Sequence, residues 1–224
     1  MNKRIALITG ATGTLGKAVA KTLANKNIEL LLVSKDIKKL KRLYNEINKN
    51  SKIKPVIIPL DISHGRSIDK LGGKIFLKYK KLDILINCSS FFPKLSPINH
   101  INPKDFNKII NINIIASWYL IRSCDPLLRF SDYGRAYFLV CKQKIYNEPY
   151  FSPYSLTSSS IESMINNWRN ETKKTNIKIN TFDPGPILSK LRASAFPGEN
   201  TKMLNTAETA AHKLINIIEK SYES

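Results

Sequence analysis

The chain has little from which to build a disulfide framework or a metal centre. Its 224 residues include three cysteines, Cys88, Cys124 and Cys141, an odd number with no CxxC spacing, and three scattered histidines, His64, His100 and His212. The expectation is reduced, buried thiols and no metal. Acidic side chains are scarce as well: 17 Asp and Glu stand against 36 Lys and Arg, a formal charge of +19. No apolar run approaches the roughly 20 residues that a membrane-spanning helix needs. The apolar stretch after Lys3-Arg4 ends at Thr9-Gly10 with no cleavage site behind it, so a cytoplasmic protein with no signal peptide and no membrane segment is expected. A chain with 42% hydrophobic residues is not disordered. Its length predicts one domain over 1–224.

The positive charge is concentrated in the first half, around Lys35, Lys38, Lys39, Lys41, Arg42, Lys49, Lys52 and Lys54 and again around Lys70, Lys74, Lys78, Lys80 and Lys81. A nucleic-acid footprint is one reading. The other is compositional, since lysine far outnumbers arginine and neither guanidinium forks nor interleaved aromatics accompany it. The second reading predicts solvated helix faces that maintain solubility and no nucleic-acid partner.

Short apolar runs alternate with amphipathic stretches, the pattern of βαβ units. Strands are predicted at Ile5–Ile8, Ile28–Val33, Val56–Ile58, Ile84–Ile86, Ala136–Val140 and Ile177–Phe182. Helices are predicted over Leu15–Asn25, after the second strand to about Asn48, over Ser67 to about Tyr79, in one long piece from about Pro103 to Leu128, from near Pro153 onward, and over Ala207–Glu219. The fold class is α/β, a doubly wound Rossmann sheet of parallel strands flanked by helices.

The first strand runs directly into Thr9-Gly10-Ala11-Thr12-Gly13-Thr14-Leu15-Gly16. Glycines three apart at a strand-to-helix turn let backbone N–H groups and the positive helix end approach a pyrophosphate. A tight turn also needs glycine with no ligand present, and it is the position after the first strand of an alternating chain that favours a dinucleotide. The second strand ends Val33-Ser34-Lys35. An acidic residue there would take both ribose hydroxyls of NAD, whereas a hydroxyl and a cation favour the 2′-phosphate of NADP. Asp36 next door could still turn inward and restore NAD.

At these residues the chain resembles a short-chain dehydrogenase/reductase over nearly its whole length. Thr9–Gly16 stands where that family has TGxxxGxG, with Gly13 and Thr14 exchanged to give the TGxxGxxG of its extended branch. Asp61-Ile62 resembles the adenine-contacting pair after the third strand. Leu82-Asp83-Ile84-Leu85-Ile86-Asn87 resembles the approach to the NAG segment, followed here by Cys88-Ser89-Ser90. Asn113 falls at the family's helix asparagine, and Asp183-Pro184-Gly185-Pro186-Ile187-Leu188-Ser189 resembles its nicotinamide segment. Trp118–Ser123, Asp125–Arg129 and Leu191–Glu199 are similar to a bacterial subgroup. The resemblance implies strand order 3-2-1-4-5-6, an NADP(H) cofactor, a small carbonyl or alcohol substrate, and a homodimer through two long helices bearing Trp118, Tyr119, Met164 and Trp168. Core packing is the preferred reading of those four side chains.

At the catalytic positions the chain departs from the family, which places a serine 13 residues before a tyrosine and a lysine four after it. Tyr154 fits the tyrosine, with Asn113 holding a relay water; Cys141 and Ser158 stand at the serine and lysine positions. A tyrosine with no such lysine is only about one part in a thousand ionised at neutral pH, and each unit of lost depression is worth about 1.4 kcal/mol. The loss predicts a rate lower by about two to three orders of magnitude. A thiol is also a poorer hydrogen-bond donor than a hydroxyl. Lys142 and Lys144 have no obvious route from Cys141 to the ribose. Two functions follow: an NADP(H)-dependent oxidoreductase with an impaired tetrad, or a non-catalytic dinucleotide-binding sensor or scaffold. The family's seventh strand has no counterpart, so Ile177–Phe182 is expected at an edge that self-associates or is covered by Arg192–Leu204.

Overall fold

A computed structural model describes residues 3–26, 28–51, 53–141 and 148–222. Six parallel strands form one sheet in the order β3-β2-β1-β4-β5-β6: β1 (Ile5–Thr9), β2 (Glu29–Ser34), β3 (Val56–Pro59), β4 (Ile84–Asn87), β5 (Arg135–Leu139) and β6 (Lys178–Phe182). The four middle strands are buried along almost their whole length, which is why β1, β2 and β4 read as runs of Ile, Leu and Val with no alternation and β5 buries Ala136, Tyr137 and Phe138. The expected sheet order is the observed one.

Helices α1 (Thr14–Ala24), α2 (Ile37–Asn48), α3 (Gly65–Tyr79), α4 (Pro103–Ile109), α5 (Ala116–Arg129), α6 (Ser152–Glu171), α7 (Lys190–Ala195) and α8 (Ala207–Lys220) cover the two faces. On one face Val19, Ala20 and Leu23 of α1 pack with Ala211, Leu214 and Ile215 of α8 over Ile8 and Leu32. On the other, Ile68 and Ile75 of α3, Leu120 and Leu127 of α5 and Ile165 of α6 cover Leu7, Leu85 and Phe138. Burying one such aliphatic side chain contributes about 1.5–3 kcal/mol. The charged helix α2 buries only Leu40, Leu43 and Ile47, spaced for one stripe, and turns its lysines outward.

Two local expectations need correction, the uniform long helix and the covering segment. The long helix from Pro103 is not uniform: α4 gives way to a π-helical segment, Ile110–Ile115, before α5 begins. The wider turn carries Asn113 inward, and π-bulges of this kind accompany functional sites. Trp168 is core, 4% exposed, with Nε1 donating to Asp125 at 2.7 Å, in line with the core reading, whereas Trp118 is 45% exposed. Finally, β6 does lie at the sheet edge, but Arg169 of α6 attends to it, donating from Nε to the carbonyl of Ile179 at 2.7 Å and from the guanidinium to Asn180 Oδ1. The segment expected to cover the edge instead sends Phe196 onto Phe151, their rings stacked at 5.5 Å.

Candidate active site

The strands deliver their C-terminal ends to one rim, and β1 lies between β2 and β4, where the strand order reverses and doubly wound sheets bind ligands. Gly10 turns the chain there with φ of +62°, a conformation that excludes most side chains. A Cβ on Gly10 would lie 2.7 Å from the backbone of Cys88 and Ser89, and one on Gly16 would lie 2.2 Å from the carbonyl oxygen of Gly10. Gly13 caps α1 without a side-chain hydrogen bond, and no acidic residue occupies the first turn. The leading N–H groups of α1 therefore face the cleft unopposed, which suits a phosphate.

Two pockets meet at this turn. The larger, of about 870 Å³, is lined by Gly13, Thr14, Leu15 and Gly16 on one side. Pro184, Gly185, Ile187 and Ser189 line it on the other, with Asn113, Cys141, Tyr154 and Ser158 between. The smaller, of about 240 Å³, holds Gly10, Ser34, Lys35, Asp61 and Ile62. Thr9 and Asn87 line neither. Thr9 Oγ1 donates to Asn87 Oδ1 at 2.6 Å, and Asn87 donates to Ser117 and accepts from Ser89 N, so both brace the floor from below.

In the smaller pocket the Ser34 hydroxyl lies 2.6 Å from Thr12 Oγ1, joining the end of β2 to the glycine turn. Asp36 does not turn inward. Its carboxylate caps α2 by accepting from Lys39 N at 3.0 Å, which leaves the exposed Lys35 at the end of β2. Burial acts to raise the Asp61 carboxyl, but hydrogen bonds from Ser63 and the charges of Lys35 and His64 hold it below its ordinary value.

Tyr154 sits in the first turn of α6, its ring meeting Phe92 edge-on at 4.8 Å. Ser158 follows four residues later, on the same helix face. Its Oγ accepts from Cys141 N at 3.4 Å, so the two residues that depart from the expected tetrad touch each other. Asn113 gives its amide to the chain: Oδ1 accepts from Phe91 N at 2.8 Å, and Nδ2 donates to Phe91 O at 3.1 Å and to Thr157 Oγ1 at 3.2 Å. It clamps the loop after β4 to α6.

A sequence profile described as short chain dehydrogenase matches residues 4–200. The chain belongs to the short-chain dehydrogenase family. A relative from Escherichia coli (strain K12), called "Uncharacterized oxidoreductase YciK", is 26% identical over 208 residues, covering 92% of this chain and 82% of its own. A solved structure of a short chain dehydrogenase from Shigella flexneri 2a, described as complexed with NADP, superposes with a TM-score of 0.87 at 26% identity over 93% of this chain and 87% of that one. One from Salmonella enterica serovar Typhi reaches 0.92 at 23% identity, covering 97% and 90%, which shows the shared fold.

Among the described residues, the cations lining the family's cleft in this chain are Lys17, Lys21, Lys39, Lys190 and Arg192. Lys17 and Lys21 both grip Glu46, at 2.8 and 2.6 Å, and Arg192 is held by Glu199. None stands on the turn of α6 that follows Tyr154. Lys142 and Lys144 lie outside the described residues. The sequence reading missed the rings of Phe92, Phe151 and Phe196, which line the same cleft. They come from three separate loops, where no periodicity marks them.

Burial pushes the thiols of Cys88 and Cys124 up to about 12. At pH 8 only about one part in ten thousand of either is thiolate, the form that reacts. Iodoacetamide at that pH should leave the buried Cys124 unlabelled in the native protein and label it in urea, whereas Cys88 is partly exposed in the cleft. Mass spectrometry of the digested protein reads the result, and rapid native labelling of Cys124 would contradict its burial.

Proposed function

We propose that the chain is an NADP(H)-binding oxidoreductase of a small carbonyl or alcohol whose hydride-transfer site is impaired by Cys141 and Ser158. The observation that carries this reading is the contact of Ser158 Oγ with Cys141 N beside Tyr154, because it puts a neutral, short side chain where the family's resemblance calls for a lysine. The cleft fits the dinucleotide: the glycine turn leaves a cradle that a Cβ at Gly10 or Gly16 would fill, and the N-terminus of α1 opens on it. Gly13 to Gly16 would hold the pyrophosphate, Asp61 and Ile62 the adenine, Ser34 and Lys35 the 2′-phosphate, and Pro184, Gly185, Ile187 and Ser189 the nicotinamide end. Bound there, the dinucleotide would supply the hydride-transfer chemistry.

The chain's own part is proton handling and positioning. Tyr154 holds the proton for the substrate oxygen at its phenolic oxygen, and Asn113 fixes the loop that carries Phe92 against it. Ser158 brings no charge to stabilise a phenolate, so proton transfer is slow.

The cofactor assignment is supported by Lys35 with Asp36 turned away, and by the NADP described in the Shigella relative. Calorimetric titration should show NADPH binding at least about tenfold tighter than NADH, the preference reversing in Lys35→Glu. Equal affinities, or tighter NADH, would remove the charge argument.

A further inference from the structure

The cleft carries more aromatic surface than proton and hydride handling require. Phe92 follows β4, Phe151 precedes α6, and Phe196 closes α7; they converge with Tyr154 on one end of the 870 Å³ cleft. Phe92 lies 6.1 Å from Phe151 and 4.8 Å from Tyr154, while Phe151 and Phe196 stack at 5.5 Å with 28° between their planes. We propose that Phe92, Phe151 and Phe196 form a ring-binding subsite beside Tyr154 that takes an uncharged aromatic or hydroaromatic carbonyl compound or the corresponding alcohol. The proposal rests on the oxidoreductase reading of this cleft and adds its substrate class.

Exposure separates a subsite from a plug of core. Phe151, 8% exposed, is the floor, whereas Phe92, Tyr154 and Phe196 are half-buried walls that still present ring surface to the cleft. Leu188 and Leu191, 50% and 40% exposed, extend the apolar lining outward from the loop after β6 and from α7. Faces and edges are both on offer, from the 73° edge-on meeting of Phe92 with Tyr154 and the near-parallel pair of Phe151 and Phe196. An aryl ring can thus find offset-stacked and edge contacts that an open alkyl chain cannot use.

The cation nearest the rings is already neutralised within the protein. Arg192 lies over the Phe196 ring at 4.2 Å and gives two hydrogen bonds to Glu199, at 2.8 and 2.6 Å. The guanidinium beside Glu199 holds its carboxyl below the ordinary value, so the pair stays charged and mutually satisfied at neutral pH. The guanidinium nearest the rings is therefore spent within the protein, and it fastens α7 so that Phe196 stays on Phe151.

Acetophenone and 2-octanone, ketones of equal carbon number, test the proposal by ligand-observed NMR with the full chain and saturating NADP⁺, conditions in which binding is read with no turnover. Acetophenone should bind at least about tenfold more tightly than 2-octanone. Phe196→Ala should erase most of that difference and Phe196→Tyr should keep it, with thermal melting confirming that both variants fold. Equal affinities, no binding of either ketone, or an unchanged preference in Phe196→Ala would overturn the subsite. NADPH oxidation in parallel samples separates the two claims. Ring-selective binding without oxidation supports the subsite and removes the oxidoreductase reading, while oxidation of both ketones with no ring preference does the reverse.

Discussion

Exchanging Cys141→Ser together with Ser158→Lys raises carbonyl-dependent NADPH oxidation by at least about tenfold over the unaltered chain. Tyr154 and Ser158 lie one helical turn apart and both line the cleft, so a lysine at 158 projects along the wall that carries the phenol. An ammonium there favours the phenolate, and each unit by which it lowers a tyrosine pKa is worth about 1.4 kcal/mol, or a factor of ten. The exchange costs the Ser158–Cys141 hydrogen bond, worth about 1 kcal/mol, and part of the full burial of residue 158, so a lower melting temperature accompanies the gain. Initial rates on a carbonyl panel that includes aryl ketones decide it. Fast turnover by the unaltered chain that Tyr154→Phe abolishes would sink the impaired-site reading, because some other group would then be replacing the lysine.

The second large effect is at the glycine turn. Gly16→Ala places a methyl group 2.2 Å from the carbonyl oxygen of Gly10, a backbone atom that cannot swing aside as a side-chain tip could. That oxygen also accepts from Gly13 N at 2.9 Å, so the whole turn must shift. Overpacking of this kind costs about 1–3 kcal/mol, which for a chain of this size lowers the melting temperature by about 2–10 °C. NADPH affinity should fall by about a hundredfold or more, because the N–H groups that face the phosphates move with the turn. Gly73→Ala is the contrast: it lies in α3 with open space around its Cβ direction, so it should stabilise by about 0.5–1 kcal/mol and leave NADPH binding alone. Melting and titration of the two variants check both, and equal behaviour would show that the turn is not a close-packed cradle.

The sheet was legible because its signals are local and repeated. Ile5–Ile8, Ile84–Ile86 and the Gly10–Gly13–Gly16 turn state their roles in a few consecutive residues, and handedness with strand adjacency does the rest. What stayed hidden depends on contacts between distant segments. Nothing in Ile110–Ile115 announces a π-turn, which is settled by Asn113 reaching Phe91 and Thr157. Asp36 could have faced the ribose or capped α2, and only the geometry of Lys39 N decides for the cap. Arg169 gave no sequence sign of guarding Ile179, because the pairing joins a helix face to an open strand edge. In the site, Tyr154, Cys141 and Ser158 could be named only through the resemblance to the family's pattern, whereas Phe92, Phe151 and Phe196 meet only once three loops are folded.

The packing of α8 on α1 sets an order of events during synthesis. Val19, Ala20 and Leu23 are made well before their cover, Ala211, Leu214 and Ile215. The opposite face can close sooner, since α3, α5 and α6 all precede β6. A nascent chain of this protein therefore carries one finished flank and one oily one until α8 emerges, and in that interval the uncovered apolar face is open to aggregation.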